Sequence, residues 1–384
     1  MAMIAAGFSG GEAEELRRAF GFKRSQARMK EVEIKLRRGM DAKGISGTTQ
    51  DRIILAITSF ALYGFPESHA ASFALIAYAS AFLKCHYLAA FTAAMLNNQP
   101  MGFYQPATLI KDAQRHGLKF KPIDVTRSDF ECTLEESPHG LLVRIGLRYV
   151  KTLRKETALQ IVEQRMASPF LSIEDLKRRV PQLQKDELRA LASVGALNFI
   201  SGKSQVHRRT ALWQVESASR PSGPLFQARM KIPDTDDSDF VSPLDPMNQE
   251  ERLHADFHGT GLTLGKHPMA QHRSRLDREG VVPSAKLTSL CDGTFVTVAG
   301  SVIARQRPGT AKGFVFLSLE DETGIANIII APPLFEREHS TVVRRSFLRI
   351  AGTLQNQDGV VSLKAGRIEP FDLVQTEMAS HDFH

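Results

Sequence analysis

Cysteine is scarce in this chain: Cys85, Cys132 and Cys291 are the only three in 384 residues, and no two form a Cys-x-x-Cys pair. That scatter excludes a zinc ribbon and a disulfide framework, and it fits a reducing compartment, the cytoplasm. Long apolar runs are also missing. The longest, Ala70–Leu83, has 14 residues, whereas a bilayer span needs about 20. It reads as a buried helix, and no membrane partner is expected. The first residues, MAMIAAGFSGG, have neither a basic region nor a sustained apolar one, so they are no secretory signal. Nor does one sign of charge dominate. Lys and Arg exceed Asp and Glu by 49 to 42, giving a net charge of +7, which permits a polyanionic partner without demonstrating one.

The distribution of charge says more than its sum. Residues 141–215 hold 14 Lys and Arg against 6 Asp and Glu, whereas residues 216–258 hold 4 against 9. Apolar spacing of three and four residues predicts helices through the first 117 residues, with Thr48 or Thr49 capping one and Pro66 opening the next. Residues 118–145 change to short strands and turns, and two helix pairs follow, at about 146–166 and 172–197. A stretch rich in Ser, Pro and Asp (216–245) has the composition of an exposed linker. From residue 285 the runs VTVAGSVI, FVFLSLED, IANIIIA, FLRIAGTL and VVSLKAGRI predict five strands, with a short helix near Pro333–His339. That pattern fits a barrel of the OB type. The expected fold class is therefore multidomain α+β, divided into regions 1–117, 118–200, 201–284 and 285–375.

Several segments resemble one family in the right order. Leu16-Arg17-Arg18-Ala19-Phe20-Gly21 and Tyr63-Gly64-Phe65-Pro66-Glu67-Ser68-His69-Ala70 are similar to signatures of the fingers domain in bacterial C-family DNA polymerases, the replicative alpha-subunit type. Leu83-Lys84-Cys85-His86-Tyr87, Gly195-Ala196-Leu197 and Gly265-Lys266-His267-Pro268-Met269 resemble the same family. Phe-Pro-Glu-Ser-His-Ala and Arg305-Gln306-Arg307-Pro308-Gly309 look closer to its error-prone branch, which acts in DNA repair and translesion synthesis. The resemblance implies a partial helical fingers domain at 1–117, tandem helix-hairpin-helix units, a linker and an OB domain.

It also implies roles. Arg17, Arg18, Tyr63, Ser68 and His69 are expected at a deoxynucleoside triphosphate, since guanidinium forks suit phosphoryl oxygens. Taken without the family, an arginine pair is a solvated helix face, Tyr63 a core aromatic and His69 a helix-cap residue. Ile145–Arg154 resembles a helix-hairpin-helix whose backbone amides hold a DNA phosphate. Gly146, Arg148, Lys151, Arg154 and Lys155 are the expected contacts there, although Thr152 and Arg154 stand where such hairpins carry Gly; the other reading is a plain helical pair.

In the barrel, Arg305, Arg307 and Lys312 beside Phe314 suit single-stranded template. Phe314, Phe316 and Ser318 alternate onto one strand face, which is either a stacking platform or barrel core. No catalytic residue, metal ligand or cofactor is expected in this chain. The complete enzyme is expected to use Mg2+ on palm aspartates that are not among these residues, and Asp234, Asp236, Asp237 and Asp239 lack the strand context for that role. By itself the chain is expected to bind primer-template or single-stranded template and to catalyse nothing, as part of a polymerase with accessory repair proteins. The remaining readings are an autonomous single-stranded DNA-binding module and an inert gene remnant. Pro224-Leu225-Phe226 and Pro333-Leu334-Phe335 are only fragments of a sliding-clamp peptide. His254 and His258, four residues apart, lack the glutamate of a zinc protease motif.

Overall fold

Apolar residues spaced at three and four give the described part of residues 1–86 five helices. The computed structural model describes residues 2–19, 26–63, 67–102, 104–200, 206–218, 242–308, 311–357, 359–371 and 381–383. They fall into two compact units, 1–86 and 87–384. The first unit consists of α1 (Ala2–Ala6), α2 (Gly10–Ala19), α3 (Gln26–Asp41), α4 (Thr48–Tyr63) and α5 (Glu67–His86). Phe8, Leu16, Val32, Leu36, Met40 and Ile54 form its core. Within it α5 departs from the expectation of a buried helix at Ala70–Leu83: the helix is apolar on every side, the composition of a covered helix, yet Phe73, Leu75, Ile76, Tyr78 and Phe82 are all exposed.

The second unit begins with α6 (Leu88–Asn97) and α7 (Pro106–Arg115), so the helical region that the sequence carries to about residue 117 is shared between the two units. Strands β1 (Phe120–Lys121), β2 (Thr133–Ser137) and β3 (Gly140–Arg144) form a small sheet with β3 in the centre, parallel to β1 and antiparallel to β2. After a 3-10 turn at Leu147–Tyr149 come α8 (Lys155–Ala167), α9 (Ile173–Arg179), α10 (Lys185–Ser193), α11 (Arg208–Ala218) and α12 (Gln249–Thr260). Ser172 caps α9 by accepting from Asp175 N at 3.1 Å. A reciprocal pair between Asn248 and Glu251 opens α12, and Gly261 at φ +75° closes it. One core runs through these elements, from Leu96 and Ile110 through Val143 and Ile161 to Leu188 and Phe257.

A connector with α13 (Arg273–Arg278) leads into the barrel. Its strands are β4 (Phe295–Gln306), β5 (Val315–Glu320), β6 (Ile325–Ile330), β7 (Phe347–Gln357), β8 (Val360–Pro370) and β9 (His381–Phe383), with α14 (Pro332–Arg344) between β6 and β7. The strand order is β5-β6-β8-β7-β4-β9, and pairing of β4 with β5 closes the barrel. The five expected strands are β4 to β8. Apolar residues on alternate positions explain the arrangement: Val315, Leu317, Leu319, Ala326, Ile328, Ile330, Leu354 and Leu363 point inward and are buried together. Long β4 pairs with β7 along its first half and with β5 and β9 along its second, and a register shift between Val302 and Ala304 marks a bulge in it. Among the described residues no helix is long and apolar enough to cross a membrane.

Candidate nucleic-acid interface

The hairpin residues that the sequence assigns to DNA are held largely by the protein itself. Gly146 is buried against residues 130–131, where an added Cβ would lie 2.4 Å from the Glu131 carbonyl carbon. Glycine is needed there because two stretches of backbone pack closely. Arg148 donates to the carbonyl oxygens of Asn97 and Gln99, closing the C-terminal end of α6. Lys151 does the same for α12, its Nζ donating to Phe257 O at 2.9 Å. Arg154 meets the buried carboxylate of Glu187 through Nε and Nη2, both at 3.0 Å. Lys155 is exposed, with its ammonium 5.6 Å from the centre of the Phe130 ring.

Glu187 itself was not singled out from the sequence. It accepts from the backbone amides of Arg154 at 3.0 Å and Gln184 at 2.8 Å. A carboxylate therefore takes up amides at the start of both α8 and α10, where an anion would otherwise sit. Burial raises its pKa, but the Arg154 guanidinium and the two amides outweigh that and hold it below the ordinary carboxylate range.

In the barrel, Arg305 is buried and donates to Val342 O at 2.7 Å and Arg345 O at 2.6 Å. It fastens α14 to β4. Arg307 is exposed and lies 5.0 Å from the Phe335 ring centre. Lys312 is exposed in a tight turn at φ +51°, and Phe314 is half-buried beside it. Of the two readings of the Phe316 face, the core one fails. Val315, Leu317 and Leu319 fill the core, so Phe316 and Ser318 point the other way.

Strand register then builds a surface that the sequence alone did not reveal. Phe316 lies opposite Ile329, and Ile329 opposite Lys364. An aromatic ring, an aliphatic side chain and an exposed cation thus stand in one row across β5, β6 and β8. Such a row can stack bases and neutralise a phosphate.

The same outward face of β5 ends at Glu320, which is covered by α7 and the Gly265–Met269 segment. Arg115 Nη2 donates to Glu320 Oε1 at 2.8 Å, and His267 Nε2 lies 3.9 Å from Oε2. Lys111 donates to Gly265 O and to Gln114. Burial, opposed by Arg115, pushes the Glu320 carboxyl up to about 7. Burial and then Lys111 push the His267 imidazole down to about 3. The motif Gly-Lys-His-Pro-Met is therefore a joint between helical domain and barrel, and it covers the Glu320 end of this face.

In the first unit, Arg17 and Arg18 lie on α2, Tyr63 ends α4 and Ser68 lies on α5, but the side chains of all four lie outside the described residues. His69 is exposed on α5, edge-on to Phe73 at 4.8 Å. Residues 224–226 and the aspartates at 234–239 are outside the described residues. Pro333-Leu334-Phe335 is helical, with Leu334 and Phe335 buried, which leaves no exposed clamp peptide there. His254 and His258 stack at 6.1 Å. Among the described residues no three His, Cys, Asp or Glu side chains gather as a metal site.

A helical hairpin domain joined to an OB barrel defines a nucleic-acid-binding architecture, and the comparisons agree. Residues 117–211 match the helix-hairpin-helix motif family and residues 296–371 the OB-fold nucleic acid binding domain family. Over its whole length the chain is 43% identical to an error-prone DNA polymerase of Azoarcus sp. (strain BH72), covering 36% of that protein. It is 41% identical to one of Aromatoleum aromaticum, covering 100% of this chain and 35% of that one. An error-prone DNA polymerase 2 of Agrobacterium fabrum is 41% identical over 97% of this chain and 34% of its own length. The chain thus belongs with the error-prone branch of the C-family DNA polymerases, whose C-terminal part it matches. It spans about a third of the length of these relatives. Among solved structures, asparaginyl-tRNA synthetase from Pyrococcus horikoshii aligns with 23% of this chain and 22% of its own, at 22% identity and a TM-score of 0.21.

Proposed function

We propose that this chain is the DNA-binding, C-terminal portion of an error-prone DNA-directed DNA polymerase that acts in DNA repair and translesion synthesis in the cytoplasm. The observation that carries the reading is the row Phe316, Ile329 and Lys364 on the open face of the barrel, in a chain related throughout to error-prone polymerases. Arg307, Lys312 and Phe314 extend this surface toward a single-stranded template. In the helical domain Lys155 faces a primer-template duplex, while Gly146, Arg148, Lys151, Arg154 and Arg305 hold the two domains in shape. Arg17, Arg18, Tyr63, Ser68 and His69 serve the triphosphate of an incoming deoxynucleotide in the complete enzyme, which uses Mg2+ and works with accessory repair proteins.

The experiment is equilibrium binding of a fluorescent single-stranded oligonucleotide over a series of salt concentrations. Counterion release predicts that the logarithm of affinity falls linearly with the logarithm of salt. Absent or salt-independent binding overturns the reading.

A further inference from the structure

The outward row of the barrel does not end at Lys364. Lys364 stands opposite Thr353 on β7, and Thr353 opposite Phe295 at the start of β4. Alternation turns Thr353 and Phe295 outward, since their chain neighbours Leu354 and Val296 are buried in the core. Phe316, Ile329, Lys364, Thr353 and Phe295 therefore form one continuous row across β5, β6, β8, β7 and β4. Phe295 is 69% exposed, and Thr353 and Lys364 are exposed with it.

One exposed phenylalanine is by itself ordinary surface; this one continues a row that already carries a ring and a cation. An aromatic ring now marks each end, with the ammonium of Lys364 between them. Two positions further along the strands, Ser318 stands opposite Asn327 and Ser362 opposite Gln355. These four flank the row with neutral hydrogen-bonding side chains, and neither the row nor this flank holds a carboxylate that would repel a phosphate. Neighbouring strands lie about 4.8 Å apart, so the four steps from Phe316 to Phe295 span roughly 19 Å along the barrel surface.

We propose that Phe295 is a second stacking platform for single-stranded DNA, and that the strand crosses β5, β6, β8 and β7 from Phe316 to Phe295 with a phosphate at Lys364. The inference rests on the reading of the barrel as a single-strand surface and carries that surface round the sheet to β4. Every base has a face that stacks on an aromatic ring, so the row selects for strand length and not for base identity. A strand too short to span roughly 19 Å reaches Phe316 and Lys364 without touching Phe295. An OB fold accommodates about 4–16 nucleotides, and a strand toward the upper end of that range meets both rings.

The full chain is tested by competition. Unlabelled oligothymidylates of graded length, from about 3 to about 16 nucleotides, displace a labelled single strand from wild type, Phe316→Ala and Phe295→Ala. Phe316→Ala is expected to lose about fivefold or more in affinity at every length, the lower end of what one stacked base contributes. Phe295→Ala is expected to show the same loss for the longer oligonucleotides alone, with the shortest that competes bound as by wild type and with circular dichroism unchanged. Its salt slope is expected to stay that of wild type, because no charge is removed. Affinity that Phe295→Ala leaves unchanged at every length, or reduces equally at every length, overturns the proposal and leaves the Phe316 surface standing. Absence of binding by wild type overturns both.

Discussion

Arg154 and Glu187 form a two-point ion pair, both contacts at 3.0 Å, between the start of α8 and the first turn of α10. The carboxylate also caps two backbone amides. Glu187→Ala leaves those partly buried donors without their partner, so it is expected to lower unfolding stability by about 1–2 kcal/mol. Glu187→Gln, which keeps one acceptor, falls between the two. Because the folded carboxyl is held below its ordinary range, the stabilisation is present at neutral pH and lost as pH falls through the folded pKa. Urea unfolding of the three proteins at pH 7 and in acid checks this.

Gly146 offers a contrast between packing and binding. An added methyl would stand 2.5 Å from Phe130 O, so Gly146→Ala is expected to destabilise the helical domain by about 1–3 kcal/mol through forced displacement of the backbone. Thermal unfolding measures it. A normal melting temperature with lost DNA affinity would instead return Gly146 to the role of a phosphate contact.

At the joint, Glu320 and His267 give opposite pH dependences. Between its ordinary 4.5 and about 7, Glu320 keeps a proton in the folded chain that the unfolded chain has released, so stability falls as pH rises. Between about 3 and its ordinary 6.5, His267 stays neutral when folded and gains a proton when unfolded, so stability rises with pH. The two oppose each other from 4.5 to 6.5. Glu320→Gln is expected to leave stability rising with pH across that window, and His267→Gln to leave it falling. Urea midpoints at four or five pH values decide; unchanged slopes contradict the assignment.

What could be read in the sequence was local. The five barrel strands announce themselves by runs of branched residues between turns, and Ser172 marks the start of α9 because capping acts over a few residues. Side-chain partners are not local. Arg154 finds Glu187 33 residues away, and Arg305 finds Val342 37 away; in the sequence each is simply a cation. Alternation separated Phe314, Phe316 and Ser318 from Val315, Leu317 and Leu319 but did not say which set faces inward; only the burial of the latter set turns Phe316 outward. Its alignment with Lys364 was not legible, since that depends on a parallel pairing of β6 with β8 across an intervening helix and strand.

The central claim is that the open face of the barrel holds single-stranded DNA. The most direct test is anisotropy of a labelled oligonucleotide with wild type, Phe316→Ala and Lys364→Glu, each across a salt series. A stacked base contributes about 1–3 kcal/mol, so Phe316→Ala is expected to weaken binding roughly tenfold without altering its salt dependence. Lys364→Glu is expected to weaken binding and to reduce the salt slope by about one. Binding that is indifferent to both substitutions, in proteins with unchanged circular dichroism, would contradict the account.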